Sequence, residues 1–139
     1  MKIDLTKYHF FSKVAIYTLG VVSILIGTYH LYKPNELLLF VPFFLPGGEI
    51  WSYMMGVSYF LVGVSFIFNY YVKFTSYLLA LFLFLFVISV HIPNYFFADT
   101  NDIRTFALFN ILNNTAIGAF ALHLGAGAHH QKLHFEDND

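Results

Sequence analysis

Along this chain the hydrophobic positions fall into four long blocks, 14–32, 50–71, 74–92 and 105–124, and the polar positions collect in the gaps between them. A helix rises about 1.5 Å per residue and a bilayer core is about 30 Å thick, so about 20 apolar residues are enough to cross it. Each block therefore predicts a transmembrane helix. Together they predict a single domain over 1–139, an all-α integral membrane four-helix bundle. Only about Asn69 to Lys73 separates the second block from the third, a link so short that those two helices must be antiparallel neighbours.

Two stretches break the pattern. Residues 37–45 (LLLFVPFFL) are apolar but too short to span, are interrupted by Pro42 and end at Pro46-Gly47-Gly48, which predicts an interfacial loop. Residues 125–139 open on Gly125 and turn polar, which predicts a tail. The tail's His129, His130 and His134 are irregularly spaced, a poor pattern for a metal.

Inside a membrane bundle small residues mark helix contacts and polar side chains turn away from lipid. At about 100° per residue the fourth block stacks Ala107, Asn110, Asn114, Gly118, Ala121 and Gly125 on one face, with Asn113 to one side and His123 nearly opposite. The first block places Gly20, Ser23, Gly27 and His30 on one flank, and the second places Ser52, Gly56 and Gly63 on another. In the third, Ser76, Ala80, Val87 and His91 share a face. All four faces are expected to pack against neighbours.

Composition agrees with the blocks: 58% of the 139 residues are hydrophobic and 11% are charged, against about 25% charged in an average soluble domain. The charges that matter for topology lie outside the blocks. With the N-terminus inside, Lys2, Lys7, Lys13, Lys73 and Lys132 are cytoplasmic and only Lys33 and Arg104 are outside, so both termini are expected in the cytoplasm. No A-x-A-like cleavage site follows the first block, which is expected to stay on as a signal anchor. A formal charge of −1 excludes nucleic-acid binding, and the absence of Cys excludes disulfides, thiolate metal sites and iron–sulfur clusters.

His30 and His91 both fall near the outer boundary, where Glu49 and Arg104 also lie, and Asn110 and Asn114 line the fourth helix below them. These six residues predict an outward-opening polar notch, a pocket for a ligand or a partner. A quinone would find hydrogen-bond donors there in His30, His91, Asn110 and Tyr29 or Tyr53. Haem is disfavoured, because two His so near the surface do not make a deep slot for the iron. A metal held by His30, His91 and Glu49 has acceptable ligand types without a diagnostic spacing. No Ser-His-Asp set, phosphate loop or paired intramembrane carboxylate is present. The lipid bilayer is the first partner expected, with a second copy or another membrane protein next.

Taken together, the glycines of the first block (Gly20, Gly27), Pro46-Gly47-Gly48-Glu49 before a helix carrying Gly56 and Gly63, Val90-His91-Ile92-Pro93-Asn94, and the last block with Asn110, Asn114, Ala116 and Gly118 make the chain resemble the DoxX-like family of small bacterial membrane proteins over nearly its whole length. Where that family often carries Gly-Gly in the last helix this chain has Ile117-Gly118, and Lys13 stands at a commoner Arg. The resemblance implies a four-helix bundle in the bacterial inner membrane and a small subunit or accessory role in a membrane redox or envelope process. A quinone-linked oxidoreductase subunit and a small lipophile carrier or chaperone are the alternative classes.

Overall fold

The computed structural model describes residues 5–37, 41 and 46–136, with side chains from 10 to 127 within that range; the apolar run predicted as a loop lies largely outside the described residues. The described chain is all-helical: α1 Leu5–Tyr32, α2 Pro34–Leu37, α3 Glu49–Phe68, α4 Val72–Phe86, a π-turn Val87–His91, α5 Ile92–Phe97 and α6 Asn101–Glu136. Four stretches, Phe10–Tyr32, Glu49–Phe68, Val72–Phe97 and Asn101–Gly127, are long and apolar enough to cross a membrane.

Two ends of the bundle can be told apart. At the Tyr70 end, α3 gives way to α4 through Asn69 and Tyr71, both in the left-handed region (φ 55° and 56°). Ser65 ties the turn down, its Oγ donating to the Tyr70 carbonyl and lying 2.8 Å from Thr75 Oγ1. At the Pro46 end, Gly47 and Gly48 take positive φ, and the Trp51 indole closes over them by donating to the Pro46 carbonyl at 2.8 Å.

Helix α1 ends where proline dictates. Pro34 has no N–H for the carbonyl of His30 four residues before it, and its fixed φ suits the first turn of α2 instead. Ser52 of α3 supplies the missing donor, its hydroxyl reaching that carbonyl at 3.2 Å. Beyond the corner, Glu36 accepts from Lys33 Nζ at 2.6 Å and from the Tyr29 hydroxyl at 2.7 Å.

The first helix begins at Leu5 and not at Val14, the second ends at Phe68 and not at Tyr71, and the last begins at Asn101 and not at Thr105. Two C-terminal boundaries lie well beyond those the sequence predicts. The third helix, predicted to end at Ile92 before Pro93, continues to Phe97. A proline ring normally clashes with the carbonyl four residues earlier. Here the turn widens, and the Ile92 N–H reaches back five residues to Val87, which accommodates the ring without breaking the helix. The last helix, predicted to stop at Leu124, runs through Gly125 to Glu136, so the segment expected as a tail is helical along most of its length. A lone glycine costs a helix only about 1 kcal/mol relative to alanine, too little to end one.

The core is drawn from α3, α4 and α6, with Val62, Phe66, Leu79, Leu83 and Ala121 almost wholly buried. The faces expected to pack do so: Gly20, Ser23 and Gly27 of α1, Ser52, Gly56 and Gly63 of α3, Ser76, Ala80, Val87 and His91 of the third helix, and Ala107, Gly118, Ala121 and Gly125 of α6 are all buried. Asn110 and Asn114 are half-buried on the same side of α6. Helix α1 lies antiparallel on α3, and α6 lies antiparallel on α4 and its π-turn.

Candidate functional site at the Pro46 end

His91 is the last residue of the π-turn. Its side chain is 8% exposed, and its Nδ1 is buried with no hydrogen-bond partner among the described residues. Buried polar atoms in native proteins almost always have a partner, so an orphan imidazole nitrogen is a departure. A π-turn inserts one residue into the helical ladder and rotates the residues beyond it, and such turns recur at functional sites. Here the proline four residues beyond Ser89 accounts for the turn, and the turn sets the direction of His91.

His30 stands in different surroundings. It is half-buried in the last turn of α1, and its Nδ1 lies 2.9 Å from the Ile26 carbonyl. A carbonyl can only accept, so Nδ1 carries the proton and Nε2 is the acceptor of the neutral ring. The ring is tilted against Tyr59, which is 5% exposed, with 6.0 Å between centroids. His30 thus belongs to the α1–α3 pair, whereas His91 belongs to the α4–α6 pair.

Trp51 of α3 lies edge-on to Phe86 of α4 at 5.9 Å between centroids. It connects the first turn of α3 to the residue just before the π-turn. Glu49 opens α3 and is half-buried. Arg104 is exposed and donates from Nε to the Ala98 carbonyl at 3.1 Å, steadying the α5–α6 corner, and it forms no ion pair with Glu49. Asn110 donates from Nδ2 to the Phe106 carbonyl of its own helix at 2.8 Å. Asn114 is half-buried one turn farther along. All six predicted residues are thus placed, on two helix pairs, with no hydrogen bond among them.

Of the tyrosines expected as donors, Tyr29 is engaged with Glu36 and Tyr53 is 42% exposed. Among the described residues no three His, Asp or Glu side chains gather as a metal site would need. The residues that sequence reasoning missed are Tyr59, Trp51 and the π-turn itself. Pro93, four residues after Ser89 in an apolar run, was the one signal that could have pointed to the turn.

The Tyr70 end offers less. There α1 and α6 leave a crevice of about 140 Å³ lined by Ser12, Ala15, Phe120, His123, Leu124 and Gly127. His123, expected opposite the packed face of α6, is exposed on that crevice. Outside the spans, the Lys33 ammonium and the Tyr29 hydroxyl hold the Glu36 carboxyl below its usual range, and Glu36 in turn raises Lys33.

No family model, curated protein or solved structure matches this chain.

Proposed function

We propose that the chain is a multi-pass protein of the bacterial cytoplasmic membrane, DoxX-like, that serves as a small subunit or accessory factor of a membrane redox or envelope process. Its working site is the Pro46 end, centred on His91 with Asn110 and Asn114 beside it on α6 and with His30, Glu49 and Arg104 at the margin. The observation that carries this reading is the orphan Nδ1 of a nine-tenths buried His91 on a π-turn. In apolar surroundings a neutral imidazole is a single, directional hydrogen-bonding group, suited to a carbonyl or hydroxyl on an otherwise apolar ligand or partner segment.

The membrane setting is supported by what the surface is made of. Phe10, Leu25, Ile50, Phe74, Ile88, Phe109 and Leu112 are each at least 58% exposed on helices of spanning length. Such contiguous apolar cover suits hydrocarbon and not water. Aromatic rings mark both ends, Phe68, Tyr70 and Tyr71 at one and Tyr32, Phe96 and Phe97 at the other, as the two interfaces of a bilayer favour. The count of basic residues supports reading the Tyr70 end as cytoplasmic and the Pro46 end as external. A reporter fused after Asp139 should then be active only as a cytoplasmic fusion; periplasmic activity reverses the topology.

The second reading, a quinone-linked oxidoreductase subunit, is favoured by the Trp51–Phe86 pair, an edge-to-face aromatic contact that reaches the residue just before the His91 turn. Purification from membranes followed by solvent extraction separates the two readings. A stoichiometric quinone that His91→Ala loses supports the enzyme subunit. A co-purifying polypeptide that His91→Ala loses supports the accessory role, and a co-purifying non-quinone lipophile supports a carrier. If the folded His91→Ala protein keeps every companion of the unaltered protein, His91 is not the working group.

A further inference from the structure

Asn113 lies near the middle of the apolar part of α6. The apolar stretch of that helix runs from Asn101 to Gly127, which puts Asn113 about 18 Å from one end and about 21 Å from the other. Its side chain is exposed on the outer surface of the bundle. Asn110, one turn earlier, satisfies its amide on the Phe106 carbonyl, but no hydrogen bond from the described residues reaches Asn113. Around it the surface is apolar: Phe109 is 61% exposed, Phe120 is 38% exposed, and Ala116 is exposed between them. A side-chain amide has two donors and an acceptor, and at the centre of a bilayer neither water nor lipid can serve them.

We propose that this face of α6 is where a second copy of the chain docks, the two Asn113 amides hydrogen-bonding each other across a twofold axis along the membrane normal. The inference rests on the spanning reading and not on the role given to His91. Copies inserted with one orientation are related by such an axis, which sets every residue on it opposite its own counterpart at the same depth. An amide is self-complementary, so Asn113 meets a matching donor and acceptor without any other polar group being required. Ala116, one turn farther, lets the backbones approach, and Phe109 and Phe120 close over the amide pair from either side. A different protein would need its own polar group at that depth. A second copy has one by construction.

The chain contains no cysteine, so a single introduced thiol reports only on itself. Ala116→Cys in native membranes should give a disulfide-linked dimer on mild oxidation, while Leu25→Cys, 64% exposed on α1, should not. Adding Asn113→Leu to Ala116→Cys should cut the crosslinked fraction about ten-fold. Because Asn113 is exposed on its own bundle, the purified Asn113→Leu protein should keep its helix content and melting temperature but scatter light as a monomer. The proposal is overturned if Ala116→Cys crosslinks no better than Leu25→Cys, if Asn113→Leu leaves the dimer intact, or if Ala116→Cys becomes linked to a different polypeptide. Release of the protein from membranes by carbonate would remove the spanning reading, and this interface with it. Retention in the membrane with no crosslink removes the interface alone.

Discussion

Two helix pairs make up the bundle, and both are zipped by glycines two turns apart, yet what those glycines face differs. On the α1–α3 seam Gly27 meets Gly56 and Gly20 meets Gly63, backbone against backbone. A Cβ on Gly27 would lie 2.6 Å from the Phe60 nitrogen and 2.8 Å from the Gly56 oxygen, and one on Gly63 would lie 2.6 Å from the Gly20 oxygen. On the α4–α6 seam the glycines face rings. A Cβ on Gly118 would come 3.0 Å from the Phe84 ring, and one on Gly125 would come 3.2 Å from the Tyr77 ring. A backbone atom cannot retreat without moving its helix, whereas an aromatic ring can turn. The same residue type therefore sets the helix separation on one seam and accommodates a side chain on the other.

The greatest loss is expected on the seam where backbone meets backbone. Gly27→Ala or Gly63→Ala should force α1 off α3 and cost about 3 kcal/mol, the upper range for an overpacked site. Thermal unfolding of the detergent-solubilised protein, followed by size-exclusion chromatography, checks it; a melting point within a few degrees of the unaltered protein would erase the difference between the seams. Gly118→Ala and Gly125→Ala should cost about 1 kcal/mol or less, because Phe84 and Tyr77 yield. Gly118→Leu exceeds what a ring can concede and should disrupt the pair, whereas Leu122→Phe, at a position 41% exposed, should not. Equal losses at Gly27 and Gly118 on alanine substitution would mean that the rings are as fixed as the backbone.

How far each seam could be read from the chain depends on how local its cause is. The four spans and the packed faces were legible because hydrophobic blocks and small residues at helical spacing act along a single helix. Gly20, Gly27, Gly56 and Gly63 could be assigned to packing faces, but not to each other, since register is a property of two helices. The π-turn was hidden because a proline after an apolar run reads as a stop. Only the widened turn at Val87–His91 shows how the helix passes it. His30 and His91 shared a depth in the sequence, and the structure places them on different helix pairs.

A more modest loss is expected where α1 ends. Ser52→Ala removes the donor that stands in for the missing N–H of Pro34, leaving the His30 carbonyl short of a partner. The cost should be about 1 kcal/mol. In a Pro34→Ala background residue 34 has its own N–H, so Ser52→Ala should cost measurably less. The double-mutant cycle tests that coupling. Additive losses would show that Ser52 acts by packing alone. No comparable crossing hydrogen bond joins α4 to α6 among the described residues, so serines there should show no such dependence on a proline.

The slightest effect concerns charge, and it is confined to the α1 corner. Glu36 accepts from Lys33 and Tyr29, and both hydrogen bonds hold its carboxyl below the usual glutamate range. A carboxylate whose pKa is depressed by folding stabilises the fold at pH above its unfolded value, and that contribution fades as pH falls through the lowered folded value. The Lys33 side of the pair works in reverse: its pKa is raised by Glu36, so its share is complete below the ordinary lysine value and is lost only as pH climbs through the raised one. The corner should therefore be tightest across the neutral range and should loosen first in acid. Because both groups are exposed, the effect on global melting should be slight, as for surface ion pairs generally. The informative readout is local: amide exchange at Lys33 and Glu36, whose N–H groups bond to Tyr29 and Lys33, should quicken relative to α3 as pH falls below the glutamate range. Comparison at each pH with Glu36→Gln separates this from the intrinsic pH dependence of exchange, since the variant should lack the acid-induced step. If the unaltered protein and Glu36→Gln follow one curve, the carboxylate contributes nothing to the corner, and Pro34 and Ser52 hold it alone.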